Sequence, residues 1–356
     1  MRKHRPRTPR DQRRQRQQPR AAADPIYAAI DLGTNNCRML IARPADGGFR
    51  VVDGFSRIVR LGEGLAATGQ LGEAAMGRTI DALKVCADKI AHQSARKVRC
   101  IATEACRQAE NGPAFIKRAR TETGLSLEAI SAETEAELTL SGCAPLLRDG
   151  YRRALLFDIG GGSTEVTWVD CSPSGPPRTL ATLSLPMGVV TLADIHGSGA
   201  MTSSIHNEIL ARADEALVPF CAEHGIRDAI DAGQVQMIGT SGTVTTMGAI
   251  YLDLPRYDRI RVDGLTIRFE SIHAICAKLS EMDCEARRQV PCIGRDRADL
   301  MLMGCSLLSA ICNRWPVGTL KAADRGIRDG LLLGMMDDDN PTGSVSAEQA
   351  VAGATG

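Results

Sequence analysis

Residues 155–169 read LLFDIGGGSTEVTWV: an apolar run ending in Asp158, three consecutive glycines, Ser163 and Thr164, then a second apolar run. Three glycines in a row weaken any regular element, because glycine loses the most conformational freedom on folding. A chain keeps them in a tight turn, or where another backbone or a ligand approaches the main chain. Read alone, the stretch is a hairpin with a glycine turn. The rest of the chain decides what the turn is for.

A second copy lies upstream. YAAIDLGTNNCRMLIA at 27–42 parallels ALLFDIGGGSTEVTWV at 154–169 in its apolar strand, terminal aspartate, glycine turn and alternating strand. Asp31 and Asp158 are 127 residues apart, about one domain length. A duplicated hairpin at that spacing predicts two related α/β units, each opened by one copy. Between them, 77–94 has helical spacing, KVRCIATEACRQA (97–109) reads as a strand entering a helix, and NGPAFIKRARTETG (111–124) is a helix closed by glycine. LSLEAISAETEAELTLSGCAPLL (125–147) reads as a strand, a turn and a helix starting near Glu133. Downstream, QVQMIGTSGTVTTMGAIYL (234–252) is a third strand, glycine turn and helix. Residues 295–313 form an apolar helical pattern, and 318–336 close as a strand and a helix.

Composition bounds the class. The chain has 356 residues, 44% of them hydrophobic, enough for two globular domains. No apolar run reaches the roughly 18 residues of a membrane span. The twelve cysteines are scattered, with no C-x-x-C pair, as buried thiols of a reducing cytoplasm would be. A net charge of +1 hides an asymmetry: residues 1–20 carry +8 and the remainder −7. Such a tail is expected to be disordered, and it suits contact with a polyanion as well as mere solubility. The acidic, small-residue end of the chain is also expected to be disordered.

The turns carry the chemistry. Successive backbone N–H groups in a tight turn make an anion-binding concavity, and a helix start adds its dipole. Gly33, Thr34 and Asn35 form the first such turn; Gly160, Gly161, Gly162 and Ser163 form the second. Gly239, Ser241, Gly242 and Thr243 repeat the pattern at a helix start. Glu165 stands where a dinucleotide fingerprint needs glycine, and no G-x-x-x-x-G-K-[ST] occurs, which excludes P-loop chemistry. An aspartate beside a phosphate cradle repels the phosphate unless a hard cation joins them, so Asp31 and Asp158 are candidate Mg2+ ligands, with Mn2+ the alternative. Hydrolysis also needs a carboxylate to take a proton from water, and the residues alone allow Glu133, Glu135 or Glu137. Arg107 suits a phosphate anchor or a surface ion pair with Glu104 or Glu110; Arg38 is a second anchor.

Taken together, the two hairpins and third turn resemble the actin-like ATPase superfamily. In order, AIDLGTNNCRMLIA, FDIGGGSTEVTWV, ATEACRQAENGPAFIKRA, ISAETEAEL, SLPMGVV, IGTSGTVTTMGAI, RADLMLMG and DRGIRDGLLLG resemble the exopolyphosphatase / guanosine pentaphosphate phosphohydrolase family over residues 26–336. The resemblance implies two related actin-like (ribonuclease-H-like) domains with an active-site cleft between them. The units are then a basic tail 1–24, domain I at 25–143, domain II at 144–322, a final helix 323–337 packing back on domain I, and a tail 338–356. It implies Glu135 as general base and Arg107 as phosphate anchor. Asp31, Asp158, Gly160, Ser163 and Glu165 match phosphate- and metal-site positions, Glu165 among the metal ligands. Inorganic polyphosphate is the expected substrate, pppGpp the nearest rival, and a cytoplasmic homodimer the expected form. Thr34 stands for the usual serine, Cys37 for an aromatic, and Thr134 interrupts the acidic run. The motifs end near residue 337, short of the C-terminal helical region of longer members, so processivity on long chains is not expected. An actin-like kinase or chaperone, and a nucleic-acid-binding protein working through residues 1–20, are the rivals from other classes.

Overall fold

The computed structural model describes residues 24–148, 150–173, 175–197 and 201–339. The basic segment 1–20 and residues 340–356 lie outside the described residues, so the expectations for both tails do as well. The first half runs β1 (Tyr27–Leu32), β2 (Asn36–Ala45), β3 (Gly48–Ile58), α1 (Leu65–Thr68), α2 (Glu73–Gln93), β4 (Lys97–Ala102), α3 (Glu104–Gln108), α4 (Gly112–Thr123), β5 (Leu127–Ala129) and α5 (Ala132–Cys143). The second continues with β6 (Arg153–Ile159), β7 (Thr164–Asp170), β8 (Arg178–Leu185), α6 (Val189–His196), α7 (Ser203–Glu223), α8 (Ile226–Asp231), β9 (Val235–Thr240) and α9 (Gly242–Tyr251). It closes with α10 (Arg259–Val262), β10 (Thr266–Arg268), α11 (Phe269–Ser280), α12 (Cys284–Gln289), α13 (Met301–Arg314), β11 (Thr319–Ala323) and α14 (Ile327–Asp339).

The duplication is visible in strand order. One sheet is β3-β2-β1-β4-β5; the other is β8-β7-β6-β9-β11 with β10 added at its edge. In both, an antiparallel meander carries the glycine turn, and the parallel strands follow on the far side. Strand side chains alternate between faces. Ala28, Ile30 and Leu32 therefore enter a core that includes Ile80, Leu83 and Phe115 of α2 and α4, while Tyr27 and Ala29 face Leu331, Leu332 and Met335 of α14. Each fully buried leucine there contributes about 1.5–3 kcal/mol.

The last helix thus packs on the first strand. It runs to Asp339, two residues past its expected end, because Asp339 accepts from the Tyr27 hydroxyl at 2.9 Å and pairs with Lys97 and Arg96. α5 lies between the sheets: Leu140 and Cys143 pack on Ala154, Leu156 and Val169 of the second sheet, and its other side meets α14. Glycines make that crossing close, since a Cβ at Gly142 would strike the Gly326 carbonyl and one at Gly330 the Leu138 carbonyl. The helix expected over 295–313 starts at Met301; residues 295–300 are turns, from which Arg297 faces the cavity and Asp299 the first half.

Candidate active site

Asp31 shares a strand face with Tyr27 and Ala29, and Asp158 shares one with Ala154 and Leu156, so both point between the sheets. They line one cavity of about 110 Å³, several times the space an ordered water needs. The two hairpins differ at the residue opposite each aspartate. Asp31 pairs in register with Arg38, whereas Asp158 pairs with Glu165. Directly opposed like charges destabilise a strand pair. Burial and Glu165, with Asp31 adding to it, push the Asp158 carboxyl up to about 8. Asp31 is raised by burial too, against Arg38 and Arg328.

Glu135 enters from α5. Ser131 caps that helix, its hydroxyl accepting from the Thr134 N–H, which fixes the phase that buries Glu135 and leaves Glu133 and Glu137 exposed. Burial and the neighbouring Glu165, Asp158 and Asp31 hold the Glu135 carboxyl well above the usual carboxylate range, with Arg107 opposing them. Arg107 reaches Glu135 at 3.4 Å, donates to the Ile130 carbonyl at 2.6 Å and pairs with Glu104. Glu104 is buried on the cavity wall, its stem against Gly162.

The turns are oriented from outside. In a trans peptide the carbonyl and the next N–H point in opposite directions. The Gly160 carbonyl accepts from Val189 N–H at 3.0 Å, and the Gly161 carbonyl from Val190 and Thr191 N–H at 2.8 and 3.2 Å. The start of α6 thus turns the Gly161 and Gly162 N–H groups into the cavity. Likewise, the Thr34 carbonyl accepts from Gly62 N–H at 3.0 Å, which turns the Asn35 N–H inward. Among the described residues these inward N–H groups have no hydrogen-bond acceptor. The third turn contributes Ser241, held at φ 146, with its hydroxyl capping α9. Strain of this kind costs about 1–3 kcal/mol and gathers at ligand sites.

A model of the Ppx/GppA phosphatase family matches residues 40–339. The chain belongs to that family. It is 30% identical over 317 residues to a guanosine-5'-triphosphate,3'-diphosphate pyrophosphatase of Aeromonas hydrophila, covering 89% of this chain and 60% of that protein. The chain therefore spans about three fifths of the length of that curated relative. Among solved structures, an exopolyphosphatase-like protein is 29% identical with a TM-score of 0.79, covering 88% of this chain and 98% of its own. A Ppx/GppA member from Aquifex aeolicus is 26% identical with a TM-score of 0.71, covering 89% and 99%. The fold of this Ppx/GppA chain is the two-domain actin-like one.

Most residues read from the sequence meet at this cavity: Asp31, Gly33, Thr34, Asn35, Arg38, Glu135, Asp158, Gly160, Gly161, Gly162, Ser163, Ser241, Gly242 and Thr243 line it. Three do not. Gly239 sits inside β9, where a side chain would strike the Phe157 ring of the next strand, so packing explains this glycine. Glu165 lies behind the wall, its carboxylate held by the Ser163 and Ser184 hydroxyls. Arg107 stands behind Glu135 and Glu104 instead of facing the cavity. Glu104, Asn36, Thr103 and Arg297 line it without having been singled out as site residues. Glu104 entered the sequence reading only as an ion-pair partner for Arg107; that pair exists, but it is largely buried.

A hard cation fits the donor set. Asp31 and Asp158 face the cavity, and Asn35 Oδ1 and Asn36 Oδ1 are buried without a partner among the described residues. No group of three or more His, Cys, Asp or Glu among the described residues is arranged to hold a metal by itself. Mg2+ takes one or two carboxylates and completes its shell with water and other oxygens, a pattern that the two aspartates and the asparagine oxygens would suit.

Gly188 gives a direct test of the outside support. A Cβ there would strike the Gly161–Gly162 peptide, backbone that cannot yield as a flexible side chain would. Gly188→Ala is expected to lower stability by about 1–3 kcal/mol. Amide exchange in the Gly160–Ser163 turn should accelerate as well, because the α6 start that holds its carbonyls is displaced. Thermal unfolding and exchange over the turn check it; wild-type values for both would refute the support.

Proposed function

We propose that the protein is a phosphoanhydride hydrolase that removes the terminal phosphate of inorganic polyphosphate. The observation that carries this is the meeting, in one cavity, of unpaired turn N–H groups with a buried carboxylate helix. Phosphate oxygens take the N–H groups of Asn35, Gly161 and Gly162. Glu135 accepts the proton of the attacking water, and its raised pKa makes it a stronger base once ionised. Arg107, bonded to Glu135 and to the Ile130 carbonyl, holds that carboxylate in place. Mg2+ held by Asp31 and Asp158 would neutralise the phosphate oxygens facing these acids and bring the acids towards ionisation.

A second compartment of about 350 Å³ adjoins the cavity and shares Asp31, Arg38, Asp158 and Arg297 with it. Arg325 and Arg328 also line it, and burial together with Arg38 presses the Arg297 and Arg328 guanidiniums below their usual pKa. A cationic chamber beside a phosphate cradle suits a substrate with several further phosphates. The name of the Aeromonas hydrophila relative favours pppGpp as a second reading, with the same bond broken. Phosphate release from polyphosphate, pppGpp and ATP, measured in parallel with Mg2+, separates the readings. Fastest release from polyphosphate is the expected result; faster release from pppGpp moves the substrate, and phosphotransfer from ATP to an acceptor without phosphate release refutes the hydrolase.

A further inference from the structure

The segment Val59–Gly64 leaves β3 and runs along the edge of the first half that faces the second. Its backbone is seated on the first turn. Val59 and Arg60 N–H both donate to the Asn35 carbonyl, at 2.9 and 3.0 Å, and a side chain at Gly62 would strike Thr34. Arg60 itself has φ 48, in the left-handed region, which costs a non-glycine residue about 1–2 kcal/mol. The consequence of that conformation is direction. The guanidinium reaches the second half, where Nη2 donates to Asp299 Oδ2 at 2.8 Å and to the Asp296 carbonyl at 3.1 Å. The Asp299 side chain is 15% exposed, and its Oδ1 is buried with no partner. On the same edge, Gly64 N–H donates to Asp194 Oδ2 at 2.8 Å.

The segment that receives Arg60 also carries Arg297, Leu300 and Met301 into the cavity. Arg297 and Arg38 come from opposite halves and meet over Gly242, each with a guanidinium nitrogen 3.7 Å from where a Cβ would sit. Two like charges held this close separate unless something restrains them or an anion joins them.

From these contacts we infer that Arg60 is a positioning residue: it clasps the first phosphate turn to residues 296–299 and thereby keeps Arg297 beside Arg38 before a phosphate chain arrives. The inference rests on the reading of the cleft as a phosphate-chain site. With the clasp in place, less of the site has to be ordered during binding, which raises affinity without any contact between Arg60 and the ligand. Without it, residues 290–301 open more often, and Arg297 swings toward solvent.

Arg60→Gly tests this cleanly, since it removes the guanidinium and relieves the left-handed backbone. We expect a melting temperature at or above that of wild type, with amide hydrogen exchange in peptides covering 290–301 about tenfold faster. Calorimetry should show tripolyphosphate binding weakened about tenfold, the scale of one lost charge-assisted contact. Asp299→Asn should do the same and add little to Arg60→Gly in a double-mutant cycle. Unchanged exchange over 290–301 overturns the clasp, as does a lower melting temperature with exchange raised throughout the chain. If wild type binds no tripolyphosphate while exchange over 290–301 still accelerates in the variant, the substrate reading falls and the clasp stands.

Discussion

Glu135→Gln is expected to cut phosphate release by about 10³-fold, within the range for losing a general base. The substitution keeps the shape, and the amide oxygen can still accept from Arg107, so the geometry around α5 survives. What disappears is the ability to take a proton. Stability should not fall, because Glu135 is buried and its charge is opposed by Glu165, Asp158 and Asp31. Removing that charge relieves repulsion, and the melting temperature in chelator at pH 8 is expected to stay level or rise. Phosphate release from polyphosphate, with thermal unfolding alongside, checks both parts. A variant within tenfold of wild type would remove Glu135 from the role and leave Glu104, the other buried acid on the wall, to be tested next.

The second large effect concerns Asp158 and has a definite pH sign. Its folded pKa of about 8 exceeds its ordinary value of 3.8, so the folded state holds a proton that the unfolded chain has released across that window. Stability from this group is fully present below the unfolded value and is lost as pH rises toward 8. The loss is on the order of 5 kcal/mol at its end. In chelator, the wild-type melting temperature is therefore expected to fall between pH 5 and pH 8.5. Asp158→Asn should fall less steeply, though Asp31, Glu135 and Glu165 keep some slope, and should be the more stable protein at pH 8. Mg2+ should raise the wild-type melting temperature at pH 8, barely at pH 5, and hardly at all in the variant, which should also lose about 100-fold or more in phosphate release. Equal slopes for variant and wild type, or a Mg2+ effect independent of pH, would refute this account of the carboxylates.

Much of the site was legible because its parts are local. The duplicated strand–turn–strand announces itself in Asp31-Leu-Gly33 and Asp158-Ile-Gly160, and period-two alternation follows directly from the strand backbone. The step of two between acids sets Glu135 on the helix face opposite Glu133 and Glu137, and the folded helix turns the Glu135 face inward. What misled were glycines and charges whose reasons lie elsewhere in the chain. Gly239 looks like a phosphate glycine but is there for the Phe157 ring. Arg107 looks like an anchor, yet α3 and α5 aim it at Glu104 and Glu135. Residues 295–300 look helical by composition, yet Asp299 is drawn to Arg60 across the cleft.

The sequence by itself determined two related α/β halves, the two aspartates at their turns, and the carboxylate helix between them, because periodicity, capping and glycine turns are short-range physics. Only the tertiary structure decided which way the turn peptides face. That orientation depends on Val189–Thr191 bonding the second turn and Val59–Gly62 bonding the first. It also decided that Asp158, opposite Glu165 and enclosed by both sheets, becomes a strongly raised acid while Asp31 has Arg38 across from it. Electrostatics in an interior depends on distances between residues far apart in the chain, and only the folded packing sets those distances.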